Sequence, residues 1–317
     1  MTLNEIASKL KKLKNVVIFS HNRPDGDTIG CATALKLALE KLGTNVVLCC
    51  NALVPEKFFY IKGANEYKNS KDIRGEFDAF IAVDCSCESM FDTAYSLFRT
   101  HKNTFNIDHH ISNTHYAKNN YVEDTGACCE IIYKLITILG VEICSDIANS
   151  LLLGLVTDTG NFGHSNATSN TLYCASKLME KGANLCFTVK KMFKDQSRER
   201  AALYTRVISN MQYYLDGQVA VIVTNKKDLE DCNAVDNMTE GFIDFPLTVR
   251  TVEVAISLLE VGNLQYKISF RSKGKVNVNE IASLYGGGGH VLASGAMLKG
   301  YKEDIIDKLV YNVKQRL

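Results

Sequence analysis

Along the first half of the chain, short unbroken apolar runs alternate with stretches whose apolar positions recur every three or four residues. The runs are NVVIFS (15–20), NVVLCC (45–50), FDAFIAVD (77–84) and TFNID (104–108), rich in Val, Ile and Phe. Apolar runs of this length predict strands covered on both faces, as in a parallel sheet. Residues 28–42 predict a helix that Gly43 closes, and residues 125–139 and 144–155 predict two more after the fourth strand. The opening residues, MTLNEIASKLKKLKN, carry an amphipathic helical pattern without the continuous apolar core of an export signal. Strands alternating with helices predict an α/β fold with crossover helices, in which ligands bind at the carboxyl ends of the strands.

Beyond residue 185 the pattern changes. Residues 186–212 hold six basic and two acidic residues with no strand pattern, and predict a helical linker. QVAVIVT (218–224), VEVAISLLEV (252–261) and LQYKISFRS (264–272) predict strands of a second, smaller mixed sheet. Residues 278–290 predict a helix ending in a glycine loop, and 301–316 a terminal helix. The expected domains are therefore 1–185 and 213–317, joined by 186–212.

Composition narrows the function. Lys and Arg number 36 against 35 Asp and Glu, a net charge of +1, which argues against a protein that grips long nucleic acid by its phosphates. No apolar run is long enough to span a membrane. The eleven cysteines form no paired CxxC, and their odd number without an export signal points to a reduced, cytoplasmic protein.

Four segments place acidic or imidazole residues directly after an apolar run. They are His21-Asn-Arg-Pro-Asp25-Gly-Asp27 after the first strand, Asp84 ending the third, Asp108-His109-His110 ending the fourth, and Asp158 in LLLGLVTDTGNF. The run before Asp158 also fits a helix; given the α/β fold, all four segments can converge on one edge of the sheet. Five carboxylates side by side with three imidazoles cannot all stay ionised without a compensating cation, so the set points to metal. Mixed carboxylate and imidazole donors suit Mn²⁺, Fe²⁺, Co²⁺ or Zn²⁺, and a largely Asp site suits Mg²⁺ or Mn²⁺. Two ions bridged by one Asp would make a hydrolase centre. In the second half, Gly286-Gly287-Gly288-Gly289-His290 can bring backbone N–H groups close to an anion, with Arg271 and His290 adding charge.

HNRPDGD, the Asp84 strand end, IDHH and LVTDTGNF resemble, in order and spacing, the four motifs of the DHH phosphoesterases. GGGGH, preceded by Ser269-Phe-Arg271-Ser272, resembles the C-terminal domain associated with that family. The compact two-domain layout is similar to the nanoRNase/pAp phosphatase branch. The resemblance implies an active site in the cleft between two α/β domains, one Mn²⁺ on His21, Asp25 and Asp84, and a second on Asp27, Asp84, His109 and Asp158. Mg²⁺ or Co²⁺ could replace manganese. It further implies that Asp108 orients an imidazole, that His110 acts as a proton donor, and that Arg271, Ser272, Gly286 to Gly289 and His290 hold substrate. Short oligoribonucleotides, pAp or dinucleotides are the implied substrates, with no long nucleic acid and no membrane partner; a homodimer stays open. Cyclic di-AMP or pApA hydrolysis shares the same motifs, a pyrophosphatase shares the N-terminal ones, and a silent nucleotide sensor is the rival from a different class. Cys31, where the family often has a small hydroxyl residue, and Gly163-His164 depart from the pattern without touching a metal position.

Overall fold

All four apolar runs of the first half become strands in the computed structural model, which describes residues 1–317. The chain divides into two units, residues 1–195 and 196–317. The first begins with α1 (Leu3–Leu10), whose Thr2 cap and Glu5 satisfy each other's backbone N–H. It continues through β1 (Asn15–Phe19), α2 (Gly26–Lys41), β2 (Asn45–Cys49), β3 (Ala79–Val83), the single turn α3 (Tyr95–Phe98), β4 (Thr104–Asp108) and β5 (Asn119–Val122). Four helices follow: α4 (Cys128–Leu139), α5 (Ser145–Asp158), α6 (Ser169–Glu180) and α7 (Leu185–Val189).

The five strands are all parallel and lie in the order β2-β1-β3-β4-β5. Chain direction across the sheet reverses between β1 and β3, which leaves a crevice beyond their carboxyl ends. His21 follows β1 and Asp84 follows β3, so the crevice opens where the sequence puts its chemistry.

Besides the single turn α3, two elements of this unit escape the hydrophobic pattern. Strand β5, NNYV, is a half-buried edge strand, and its Asn119 is anchored by the Thr104 carbonyl and Lys9 rather than by apolar packing. Helix α6 buries only Thr171, Cys174, Ala175 and Leu178, a stripe at helical spacing but short of large apolar residues.

The second unit opens with α8 (Arg198–Ser209) and runs through β6 (Gln212–Tyr214), β7 (Val219–Thr224), α9 (Lys226–Asp231), α10 (Asp244–Thr248), β8 (Val254–Gly262) and β9 (Gln265–Ser272). It ends with α11 (Val278–Ser283), β10 (Gly288–His290), β11 (Ala293–Lys299) and α12 (Lys302–Lys314). Its sheet, ordered β10-β11-β9-β8-β7-β6, is antiparallel except for the β7/β8 pair. Ile256, Leu258, Ile268 and Phe270 pack on Ile281, Ile305, Leu309 and Val313. The segment 186–212 contributes α7 and a π-helical turn (Lys190–Lys194) to the first unit, and α8 to the second.

One expectation needs correcting. The glycine stretch is only partly a loop, because Gly288–His290 pairs with Ala293–Gly295 as an edge strand. Strand β11 is itself hard to read from ASGAMLK, whose small residues carry little apolar signal. All eleven cysteines are free, and seven are buried among apolar residues. No helix is long and apolar enough to cross a membrane.

Candidate metal centre

The carboxyl end of β1 delivers His21, and four residues later Asp25 caps α2, its Oδ1 accepting from the N–H groups of Asp27 and Thr28. Asp27 points from the first turn of α2 to the start of α4, where its carboxylate accepts from the N–H groups of Cys128 (2.6 Å) and Cys129 (3.0 Å). One Asp therefore ties two helix N-termini together, where the helix dipoles favour negative charge. Helices α2, α4 and α5 converge closely enough that a Cβ on Gly154 would collide with Cys129 Sγ and Asp27 Oδ1. Glycine at that position keeps the last turn of α5, and with it Asp158, near Asp27.

Asp84 leaves β3 with φ of +56°, a left-handed conformation costly for a residue other than glycine. Its backbone N–H remains tied to the Ile107 carbonyl of β4 (3.0 Å), while its side chain turns into the crevice. There its two oxygens face different partners. Oδ2 lies 3.6 Å from His21 Nε2, which is also 3.6 Å from Asp25 Oδ2. Oδ1 lies 3.5 Å from His109 Nε2, which is 3.7 Å from Asp158 Oδ2 and 4.0 Å from Asp27 Oδ2.

These spacings are too long for hydrogen bonds. They lie close to the donor–donor edges of a coordination shell whose ligands stand about 2.0–2.2 Å from an ion. Asp84 Oδ1 is buried and has no hydrogen-bond partner at all. An orphaned carboxylate oxygen surrounded by imidazole and carboxylate donors is costly alone and suits a divalent cation. His21–Asp25–Asp84 and Asp27–His109–Asp158 can each hold one, and His110 lies close enough to Asp84 and His109 to form a third such group with them.

Electrostatics agree. Burial, and then the charges of Asp27, Asp25, Asp108 and Asp158, push the Asp84 carboxyl well above its usual range. Burial and the neighbouring Asp27 raise Asp158 to about 7. For Asp25, burial works upward but is outweighed by His21 and the capping N–H groups, so its carboxyl is held low.

The two histidines of the DHH triplet are held differently. His109 Nδ1 lies 3.0 Å from the Thr125 carbonyl; donating there leaves Nε2 free to face the carboxylates. His110 Nδ1 bonds Asp108 Oδ1 at 2.7 Å, and Asp108 Oδ2 accepts from Asn113 Nδ2 at 2.5 Å. Burial lowers the affinity of His110 for its proton, but Asp108 more than offsets this and raises it. Burial likewise pushes Asp108 upward, and the bonds from His110 and Asn113 bring it below the usual carboxylate range. Asn113 and the Thr125 carbonyl, which orient the imidazoles, carry no motif that would mark them in the sequence.

Thus His21, Asp25, Asp27, Asp84, His109 and Asp158 all converge, with Asp108 and His110 beside them. The residues expected to hold substrate lie in the second unit and are less uniform. Gly286 and Gly287 donate their N–H groups to the Ser283 and Ala282 carbonyls, closing α11, so neither is free for an anion. A Cβ on Gly289 would strike the backbone of Ala293 and Ser294, whereas one on Gly288 would meet only Asn279 Oδ1 at 3.8 Å, an ordinary contact. His290 is exposed. Arg271 lies half-exposed on β9, with Nε 3.6 Å from Asp244 Oδ1. Ser272, the next residue, points the other way, is buried, and accepts at Oγ from the Gly274 N–H.

Residues 15–155 match the DHH family, N-terminal domain, and residues 233–317 match the DHHA1 domain. The chain is 31% identical over 306 residues to a Thermus thermophilus protein named bifunctional oligoribonuclease and PAP phosphatase NrnA, covering 94% of this chain and 89% of that one. A Mycoplasma genitalium protein of the same name is 28% identical, with 98% and 99% covered. Among solved structures, an exopolyphosphatase-related protein from Bacteroides fragilis shares the fold at a TM-score of 0.92 and 24% identity, covering 99% of this chain and 96% of that one. The exonuclease RecJ bound to manganese shares it at 0.59 and 13%, covering 100% and 95%.

Proposed function

The chain belongs to the DHH family of phosphoesterases, and from that premise we propose that it hydrolyses short oligoribonucleotides and pAp with the help of bound divalent cations. The observation that carries this reading is Asp84, whose two oxygens face two separate groups of metal-type donors. His21, Asp25 and Asp84 would hold one ion, and Asp27, Asp84, His109 and Asp158 a second, with Mn²⁺ the proposed metal and Mg²⁺ or Co²⁺ its substitutes. When bound, such ions offset the carboxylate charge, polarise the phosphoryl oxygens and lower the pKa of water.

The chain's own residues supply the rest. Water adds to phosphorus, the ester oxygen departs, and that oxygen takes up a proton. His110 is the proposed donor, because Asp108 strengthens its hold on a proton and fixes the ring through Nδ1. Asn113 holds Asp108 in turn. In the second unit, Arg271, His290 and the open face at Gly288 are the proposed anchors for a nucleotide end, while Ser272, Gly286, Gly287 and Gly289 serve by shaping the strand and helix end beside them.

The test is a comparison of initial rates with Mn²⁺ on pAp, pApA, cyclic di-AMP and labelled RNA of two to twenty-four nucleotides. Fast turnover of pAp and of RNA of two to five nucleotides, falling steeply with length, is the expected result. A marked preference for cyclic di-AMP, or equal rates on long RNA, would overturn the proposed substrate class.

A further inference from the structure

The crevice of the first unit opens into a pocket of about 420 Å³ whose wall includes Asp25, Asp84, Asp158, His21 and His110. Among so many acidic and imidazole groups, Arg23 is the single lysine or arginine lining it. Its guanidinium is exposed and forms no ion pair, although three carboxylates share the wall.

The geometry explains why those carboxylates leave it alone. Asp25 spends Oδ1 on the N–H groups of Asp27 and Thr28 and turns Oδ2 to His21. Asp84 faces His21 and His109, and Asp158 faces His109. The backbone beneath Arg23 is also fixed. Asn22 donates its N–H to the Met90 carbonyl (2.7 Å), Arg23 donates its own to His21 Nδ1 (3.3 Å), and buried Pro24 leads into the Asp25 cap. These ties fix the point on the pocket wall from which the Arg23 side chain departs.

We propose that Arg23 holds the phosphoryl group under attack, its two-pronged guanidinium donating to two non-bridging oxygens. This rests on the phosphoester reading above and adds a substrate-binding residue to it. Guanidinium geometry matches two phosphoryl oxygens as an ammonium does not. The contact strengthens as negative charge gathers on those oxygens, so it bears on the rate as well as on affinity.

The test uses the full-length, Mn²⁺-loaded protein and the variants R23Q and R23K. R23Q should lower kcat/KM on the order of 10- to 100-fold, the size expected for charge-assisted hydrogen bonds. The loss should be similar for pAp, a dinucleotide and bis-p-nitrophenyl phosphate, since all present a phosphoryl group. R23K, which keeps the charge without the fork, should fall between R23Q and wild type. Inorganic phosphate should bind R23Q more weakly by a similar factor, with bound Mn²⁺ and Tm unchanged. A kcat/KM within about twofold of wild type in R23Q overturns the proposal, as does a loss that follows released Mn²⁺ or a lowered Tm. If the wild-type protein hydrolyses no phosphoester, the functional reading falls instead. The phosphate titration then still decides the role of Arg23, and equal affinity in R23Q and wild type rejects it.

Discussion

His110 differs from the other two histidines of the centre in how it is held: its Nδ1 bonds Asp108 at 2.7 Å and stands 3.8 Å from Asp84 Oδ1, whereas His21 and His109 turn Nε2 to the carboxylates. Replacing His110 by Ala should leave bound metal unchanged and cut kcat by something like the 10²–10⁴-fold typical of a proton donor. Metal loss in that variant would show that His110 is a ligand. Asp108→Asn removes the charge that raises the proton affinity of His110, so the fall of activity on the alkaline side should move to lower pH; an unmoved limb would exclude His110 as the acid. Titration of the metal-free protein gives a second check. Asp158 stands at about 7 against 3.8 for the free side chain, and Asp84 and His110 are raised as well. Raised groups bind protons more tightly in the folded chain, so their stabilisation is complete at low pH and is lost as pH climbs through about 7. The Tm of EDTA-treated protein should therefore drop between pH 5.5 and 8 and recover when Mn²⁺ is added at pH 8. A metal-free Tm that rises over that range would contradict the account. At this scale the six proposed ligands are legible in the sequence because each ends an apolar run or opens a helix. The left-handed turn at Asp84 and the support from Asn113 are not, since a lone Asp or Asn carries no periodic signal.

Helices α2, α4 and α5 hold the carboxylates by close approach more than by bulk. Gly154→Ala places a methyl group on Cys129 Sγ and Asp27 Oδ1, an overpacking worth about 1–3 kcal/mol. At roughly 2–4 °C per kcal/mol for a unit of this size, Tm should fall by several degrees, and Mn²⁺ affinity should fall with it as Asp27 is displaced. Unchanged affinity beside a lowered Tm would mean that Asp27 is no ligand. The strands β1 to β4 are readable because burial on both faces leaves unbroken apolar runs. Elements that bury one face with small or polar residues are not. Helix α6 packs on Thr171, Cys174 and Ala175, β5 is anchored through Asn119, and β11 is built largely of Ala, Ser and Gly. The glycine stretch misleads for a related reason: four glycines suggest an open loop, yet Gly289 lies against the backbone of β11, where no side chain fits.

Across the whole molecule, the two units separate the proposed chemistry from the proposed choice of substrate. Replacing Arg271 or His290 by Ala should raise KM for pAp and dinucleotides more than it lowers kcat, and leave bis-p-nitrophenyl phosphate hydrolysis nearly unchanged. Equal losses on both kinds of substrate would show that the second unit supports the fold instead of selecting the nucleotide. The near-zero net charge agrees with a short substrate, because few phosphates need be held at once. All of this depends on cations gathering around Asp84, and one titration tests that directly. Protein stripped with EDTA is titrated with Mn²⁺ while bound ion and phosphate release from pAp are followed together. The account predicts no turnover in the stripped protein, activity that rises with occupancy, and saturation at two ions per chain in wild type but not in Asp84→Asn. Turnover that persists in EDTA, or full activity in Asp84→Asn, would contradict it.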